Sequence, residues 1–131
     1  MKKVLDASAL ITFLEREKGF EKVKMAMAGA VEHGENLLMS IVNWGEVYYI
    51  LIRRCGLEKA EEVIRLIETL PIDLVSADET ITRKASLYKA LHKLPYADSF
   101  AAALAKIYHA ELLTGDKEFQ IVEKDIRILW V

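Results

Sequence analysis

Short apolar runs recur along the chain and are separated by longer segments with helical patterning. Each run has only four or five residues, which is typical of strands and too short for buried helices. Five such runs predict strands: Lys3–Asp6, Leu37–Ile41, Ile72–Val75, Glu111–Thr114 and Arg127–Val131.

The segments between these runs carry apolar residues at helical spacing. Glu61 and Arg65 form an i,i+4 pair on the polar side of one such segment. Ser76, three residues before Glu79, predicts a capping box at the start of another. The Ala-rich segment 97–109 is apolar on several sides, as a helix packed on a sheet would be. The two apolar stripes are Leu57, Ala60, Ile64 and Ile67, and Ile81, Ala85, Tyr88 and Leu91.

Alternation of strands and helices predicts an α/β fold with a mainly parallel sheet of about five strands and helices on both faces. Parallel strands need long crossover connections, and the helical segments supply them. The pattern leaves open whether the last strand is parallel or antiparallel. With 131 residues, the chain is expected to form one domain over residues 1–131.

Composition narrows the classes of function. The chain is 53% hydrophobic and 29% charged, which excludes a disordered protein. A net charge of −2 argues against a uniformly basic nucleic-acid binder. The single cysteine, Cys55, excludes an internal disulfide and a multi-cysteine zinc site. Since no apolar run is long enough for a membrane helix or a signal peptide, we expect a cytoplasmic protein without membrane association.

Four acids stand where predicted strands end or helices begin: Asp6, Glu46, Asp98 and Asp116. Each has a local explanation, because acids cap helices and complement the helix dipole. Asn43 and Glu46 also have the spacing of a capping box. In a parallel α/β fold, however, all four positions fall at the carboxyl edge of the sheet, where ligands usually bind. Their convergence in one pocket depends on strand order, which the pattern leaves open.

If the four acids converge, their mutual repulsion requires either protonation or a bound cation. An all-oxygen set without clustered His or Cys favours Mg²⁺ or Mn²⁺ over zinc. Ser8 and Thr114 lie two residues from Asp6 and Asp116, so their hydroxyls either orient a carboxylate or a metal-bound water, or satisfy helix-start amides. Carboxylate-bound Mg²⁺ is a common device for phosphodiester chemistry.

The motifs around these acids resemble those of the PIN-domain family, in particular VapC-type toxins of type II toxin–antitoxin systems. Their order and spacing fit that family over nearly the whole chain. The matching strings are Val4-Leu5-Asp6-Ala7-Ser8, Asn43-Trp44-Gly45-Glu46-Val47, Ala97-Asp98-Ser99-Phe100-Ala101-Ala102-Ala103-Leu104-Ala105 and Leu113-Thr114-Gly115-Asp116-Lys117-Glu118-Phe119.

The resemblance implies a three-layer, Rossmann-like PIN domain and a Mg²⁺- or Mn²⁺-dependent endoribonuclease that hydrolyses RNA phosphodiesters through a metal-activated water. It also implies a homodimer and a cognate VapB-type antitoxin. Glu118 matches a further family acid and is expected to be an outer-shell group. The implied catalytic residues are Asp6, Glu46, Asp98 and Asp116, with Asp6, Asp98 and Asp116 holding the metal and Ser8, Asn43, Thr114 and Glu118 supporting them.

Three other interpretations stay open. A PIN nuclease of RNA processing, outside toxin–antitoxin systems, would carry the same acids. A non-catalytic PIN-like binding module is disfavoured because the acidic set is intact. A receiver domain or a haloacid-dehalogenase phosphatase also places Asp at the end of its first strand. The phosphatases, however, need a second acid two residues later, where this chain has Ser8. The RNA target and the number of metal ions are not determined.

Overall fold

The computed structural model describes residues 1–131 and contains one five-stranded sheet in the order β3-β2-β1-β4-β5. Every neighbouring pair is parallel, so β5 runs in the same direction as the other strands. The five predicted strands are confirmed to within one or two residues at each end. Their bounds are β1 (Lys3–Leu5), β2 (Leu37–Ser40), β3 (Ile72–Val75), β4 (Glu111–Thr114) and β5 (Ile128–Trp130).

Six α-helices and one short 3₁₀ helix, Lys117–Val122, connect the strands. Two helices separate β1 from β2, two separate β2 from β3, and two separate β3 from β4, so each of these parallel crossovers is helical. The α-helices are α1 (Ala7–Leu14), α2 (Phe20–His33), α3 (Ile41–Cys55), α4 (Leu57–Ile67), α5 (Glu79–His92) and α6 (Tyr96–Ile107).

Successive strand residues point to opposite faces of the sheet and enter two separate hydrophobic cores. Val4 and Leu112 contribute to the core beneath α5, α6 and the 3₁₀ helix. Leu5 and Leu113 contribute to the core beneath α1 to α4. Each core contains 17 buried residues, so both faces of the sheet are covered. This confirms the predicted three-layer α/β/α arrangement.

Two predictions of helix detail were wrong. Asp78, rather than Ser76, caps α5, and its side chain accepts a hydrogen bond from the Ile81 amide at 2.9 Å. Leu91 continues the apolar stripe in sequence, but it is 73% exposed in the structure. The stripe loses contact with the core at the last turn of α5, which ends at Lys93 with a positive φ of 59°.

The strand order places the end of β1 beside the end of β4 in the middle of the sheet. β2 lies on one side of β1 in the sheet, and β4 lies on the other. Such a reversal of strand order opens a crevice at the carboxyl edge of the sheet. No helix of the protein is both long enough and apolar enough to cross a membrane.

Candidate active site

Asp6 lies at the crevice between β1 and β4 and is only 2% exposed. It caps α1 by accepting a hydrogen bond from the Ala9 amide at 2.8 Å. It also accepts hydrogen bonds from Ser8 Oγ at 2.8 Å and from Thr114 Oγ1 at 2.5 Å. Both hydroxyls therefore orient a carboxylate, and Asp6 itself satisfies the helix-start amide.

The same hydroxyls connect the end of β1 to the loop after β4. Ser8 Oγ accepts a hydrogen bond from the Gly115 amide at 3.1 Å, and Thr114 Oγ1 accepts one from the Asp116 amide at 2.9 Å. Burial raises the pKa of Asp6 to about 6, while the donors Thr114, Ala9 and Ser8 oppose that shift. Asp6 is thus a fixed carboxylate at the base of the crevice.

Asp98, Asp116 and Glu118 come together above this base. One carboxylate oxygen from each lies within 4.8 Å of the other two. Asp116 caps the 3₁₀ helix and accepts a hydrogen bond from the Glu118 amide at 2.9 Å. Asp98 lies in the first turn of α6, which begins at the same edge of the sheet. We call these three residues the acid triplet.

Burial and neighbouring negative charge act on Asp98 together. Burial raises its pKa most, followed by the charge of Asp116 and a hydrogen bond with it, and then by the charges of Asp6 and Glu46. Together these effects raise the pKa of Asp98 to about 8. Because carboxylates that repel one another retain a proton unless a cation neutralises them, this cluster favours a positively charged ligand.

Glu46 approaches the triplet from α3, but not as the sequence predicted. Ser40 caps α3 by accepting a hydrogen bond from the Val42 amide at 3.1 Å. Asn43 and Glu46 therefore lie inside the helix, so a capping box does not explain their spacing. Instead, Asn43 Nδ2 donates to Glu46 Oε1 at 2.9 Å. Burial and the charge of Asp116 raise the pKa of Glu46, whereas the Asn43 hydrogen bond lowers it.

The crevice thus contains every acid that the sequence singled out: a compact triplet, with Asp6 and Glu46 near it. Asp98, Asp116 and Glu118 form the compact triplet. Asp6 lies outside the triplet, and its oxygens already accept hydrogen bonds from the protein. The catalytic and metal-binding roles of these residues stay predictions.

The donor chemistry of the triplet fits Mg²⁺ or Mn²⁺. All three side chains offer carboxylate oxygens, which hard divalent cations prefer. No other group of three or more His, Cys, Asp or Glu side chains in the protein has ligand atoms this close together. A cation would also offset the repulsion that raises the pKa of Asp98. A cavity of about 630 Å³ near the starts of β1 and β2 is lined by none of these acids.

Two backbone groups of the site were not anticipated from the sequence. The Gly115 amide donates to Ser8, and the Ala97 carbonyl accepts a hydrogen bond from Asn43 Nδ2 at 3.0 Å. A residue pattern carries no signal for such contacts, because every residue except proline has the same backbone groups. Their contribution follows only from the fold.

Comparison with known proteins gives the family. The family model described as "PIN domain" matches residues 3–125. No curated protein matches the sequence significantly. Among solved structures, the chain is similar to VapBC2 from Rickettsia felis bound to a promoter DNA fragment. The TM-score is 0.78 and the identity 12%, and the match covers 100% of this chain and 99% of that one.

Two further structures have the same fold. VapBC-1 from nontypeable Haemophilus influenzae matches with a TM-score of 0.74 and 21% identity, covering 99% of this chain and 98% of that one. VapC20 from Mycobacterium tuberculosis, a toxin that cleaves the sarcin–ricin loop, matches with a TM-score of 0.68 and 12% identity, covering 95% and 96%. At these identities the likeness shows the fold alone. The match of the family model to most of the chain shows that this protein belongs to the PIN-domain family.

Proposed function

We propose that this protein is a metal-dependent endoribonuclease that hydrolyses RNA phosphodiesters, and that it acts as a VapC-type toxin. The observation that carries the proposal is the acid triplet at the carboxyl edge of a PIN domain. Its oxygens lie within 4.8 Å of one another, and the pKa of Asp98 is raised to about 8. Carboxylates held this close without a neighbouring basic side chain in hydrogen-bond contact are suited to binding a divalent cation.

In this proposal Asp98, Asp116 and Glu118 would hold Mg²⁺ or Mn²⁺, with the negative charge of Asp6 behind them. When bound, the ion supplies Lewis-acid polarisation of the phosphoryl oxygen and lowers the pKa of coordinated water. Asp6, held by three donors, keeps the base of the site negative and rigid. Asn43 engages Oε1 of Glu46, so the other oxygen, Oε2, is available to orient the attacking water or accept its proton.

The partners are proposed from the structural neighbours. Several of these are toxin–antitoxin complexes, including VapBC from Salmonella typhimurium bound to DNA. We therefore propose a VapB-type antitoxin as the partner of this chain, a second copy of the chain in a homodimer, and cytoplasmic RNA as the substrate. Co-purification with the product of an adjacent small reading frame, and a sedimentation mass near twice 14.9 kDa, would support the first two.

The experiment that tests the function is RNA cleavage by the purified protein with Mg²⁺ or Mn²⁺ and with EDTA. Asp98→Asn is the test variant, and Asp73→Asn, which changes an exposed acid on β3, is the matched control. We expect cleavage that requires metal, disappears in folded Asp98→Asn and persists in Asp73→Asn. Cleavage that persists in EDTA or in Asp98→Asn would overturn the proposed site. The absence of both metal binding and cleavage in the folded wild type would overturn the function.

A further inference from the structure

We infer that Asn43 is a positioning residue that fixes Glu46 against the start of α6 and so sets the geometry between Glu46 and Asp98. This inference rests on the proposed nuclease function and adds to it a residue whose only connection with the reaction is through Glu46. It follows from three features of the Asn43 side chain, namely its two donated hydrogen bonds, its forced orientation and its unpaired oxygen.

The amide group of Asn43 joins two elements of the site. Asn43 is completely buried on α3, and its Nδ2 donates to Glu46 Oε1 at 2.9 Å and to the Ala97 carbonyl at 3.0 Å. Ala97 immediately precedes Asp98 and lies 54 residues from Asn43 in the chain. Both hydrogens of the amide are therefore used, one on the carboxylate and one on the helix that carries Asp98. A shift of α3 relative to α6 would break one of the two bonds.

The orientation of the amide is determined by its surroundings. Glu46 Oε1 and the Ala97 carbonyl are both acceptors, so only an NH₂ group can satisfy them. Turning the amide over would place Oδ1 against two other oxygens. Asn43 thus binds only Oε1 of Glu46 and makes no hydrogen bond to Oε2.

The remaining atom of the amide argues against a purely structural role. Asn43 Oδ1 is buried and has no hydrogen-bond donor within the protein. A buried acceptor without a donor destabilises a fold, whereas an apolar side chain of the same shape would not. Leucine has the same branching as asparagine and would suit the core face of α3, where Val47 and Leu51 are buried. Asparagine at this position is therefore better explained by what its Nδ2 does for Glu46 than by stability.

The test compares Asn43→Leu with the wild type in steady-state RNA cleavage and in thermal unfolding. We expect kcat to fall by about 10- to 100-fold, as is typical when a residue that orients a ligand is removed, with KM changed less than about threefold. The melting temperature in EDTA should change little, because loss of the two donated hydrogen bonds is offset by removal of the unpaired buried Oδ1. Asn43→Ala is the second variant if leucine prevents folding. Asn36→Leu is the matched control, because Asn36 Nδ2 also donates to a carboxylate, Asp73 Oδ1 at 3.0 Å, outside the site.

A double-mutant cycle with Glu46→Gln tests whether Asn43 acts through Glu46. If it does, adding Asn43→Leu to Glu46→Gln should cause little further loss of kcat, because the effects of coupled residues are not additive. A fully additive loss would overturn the positioning role. So would wild-type kcat in the folded Asn43 variants, a rise in KM alone, or a loss of activity that follows a large fall in melting temperature. A folded wild type that neither binds metal nor cleaves RNA would overturn the nuclease function and this inference with it, whereas an active wild type with active Asn43 variants would overturn only the inference.

Discussion

The pKa of Asp98 is raised by burial and by the charges of three other acids of the site. It lies in the first turn of α6, where an acid complements the helix dipole, yet its pKa is raised rather than lowered. Burial and the charges of Asp116, Asp6 and Glu46 outweigh the favourable effect of the helix terminus. The side chain therefore lies where its charged form is unfavourable in the absence of a cation.

Replacing Asp98 with asparagine should separate activity from stability. We expect Asp98→Asn to lose at least about 100-fold in RNA cleavage, because the triplet loses one charged ligand. In EDTA its melting temperature should equal or exceed that of the wild type, because the repulsion is removed. Differential scanning calorimetry and a cleavage assay measure the two quantities. A large loss of stability would instead support a structural role for Asp98 in the first turn of α6.

The raised pKa values also predict how stability depends on pH in EDTA. The folded protein retains protons on Asp98 up to about pH 8 and on Asp6 up to about pH 6, whereas the unfolded chain releases them near 3.8. Because the folded state binds more protons in this interval, its stability should fall as pH rises from 5 towards 8.

Urea unfolding at several pH values above 5 measures this dependence, and in that range acids with a lowered pKa, such as Asp125, stay ionised. Asp98→Asn should show a flatter profile above pH 6, and Asp73→Asn should keep the wild-type slope. A wild-type stability that rises over this interval would contradict the predicted repulsion.

At the scale of elements, α3 and α5 each have two candidate N-terminal caps in the sequence. Ser76 and Glu79 fit a capping box, but Asp78 is closer to the first turn of α5 and makes the cap. Similarly, Asn43 and Glu46 fit a capping box, but Ser40 ends β2 and caps α3 directly. In both cases the residue directly before the helix caps it, and the pair with capping-box spacing does not. A spacing rule alone therefore misplaces Glu46 by one helical turn.

The two candidate caps of α5 can be distinguished by mutation. Asp78→Ala should lower the free energy of unfolding by about 1 kcal/mol, because the Ile81 amide loses its acceptor. Ser76→Ala should change it by less than about 0.5 kcal/mol, as is usual for an exposed site. Urea denaturation of both variants measures the difference. Equal losses in the two variants would contradict the assignment of Asp78 as the cap.

For the molecule as a whole, strand order is the feature that creates the site. Asp6 at the end of β1 and Thr114 at the end of β4 meet because these strands are neighbours, although the residues lie 108 positions apart. Helices cover both faces of the sheet, so its carboxyl edge stays open. At this edge a crevice forms between β1 and β4, where the strand order reverses. Of the five acids at this edge, Glu46 lies on α3 on one face of the sheet, and Asp98 lies on α6 on the other.

Binding of a metal at this edge should stabilise the whole fold. With free Mn²⁺ at a hundred times its dissociation constant, stability should rise by about 2.7 kcal/mol, since the ion binds the folded state. Thermal unfolding with and without Mn²⁺ measures the effect. Asp73→Asn should retain the stabilisation and Asp98→Asn should lose most of it. Equal stabilisation of all three proteins would point to binding away from the triplet.

The chemistry of the cut gives a further prediction at this scale. Hydrolysis by water, unlike attack by a ribose hydroxyl, leaves a 5′-phosphate on the downstream fragment and no cyclic phosphate on the upstream one. End-specific ligation or mass spectrometry of the fragments identifies these ends. A cyclic phosphate would contradict the proposed hydrolysis.

The sequence by itself determined the five strands, the layered α/β class and the placement of four acids at one edge, because these follow from local periodicity and chain connectivity. Only the tertiary structure decided the order β3-β2-β1-β4-β5 and the parallel direction of β5. It also decided the grouping of Glu118 with Asp98 and Asp116, and the contact of Asn43 with Ala97. The physical reason is that a local pattern shows which residues are buried, whereas contacts between distant segments depend on how whole elements pack.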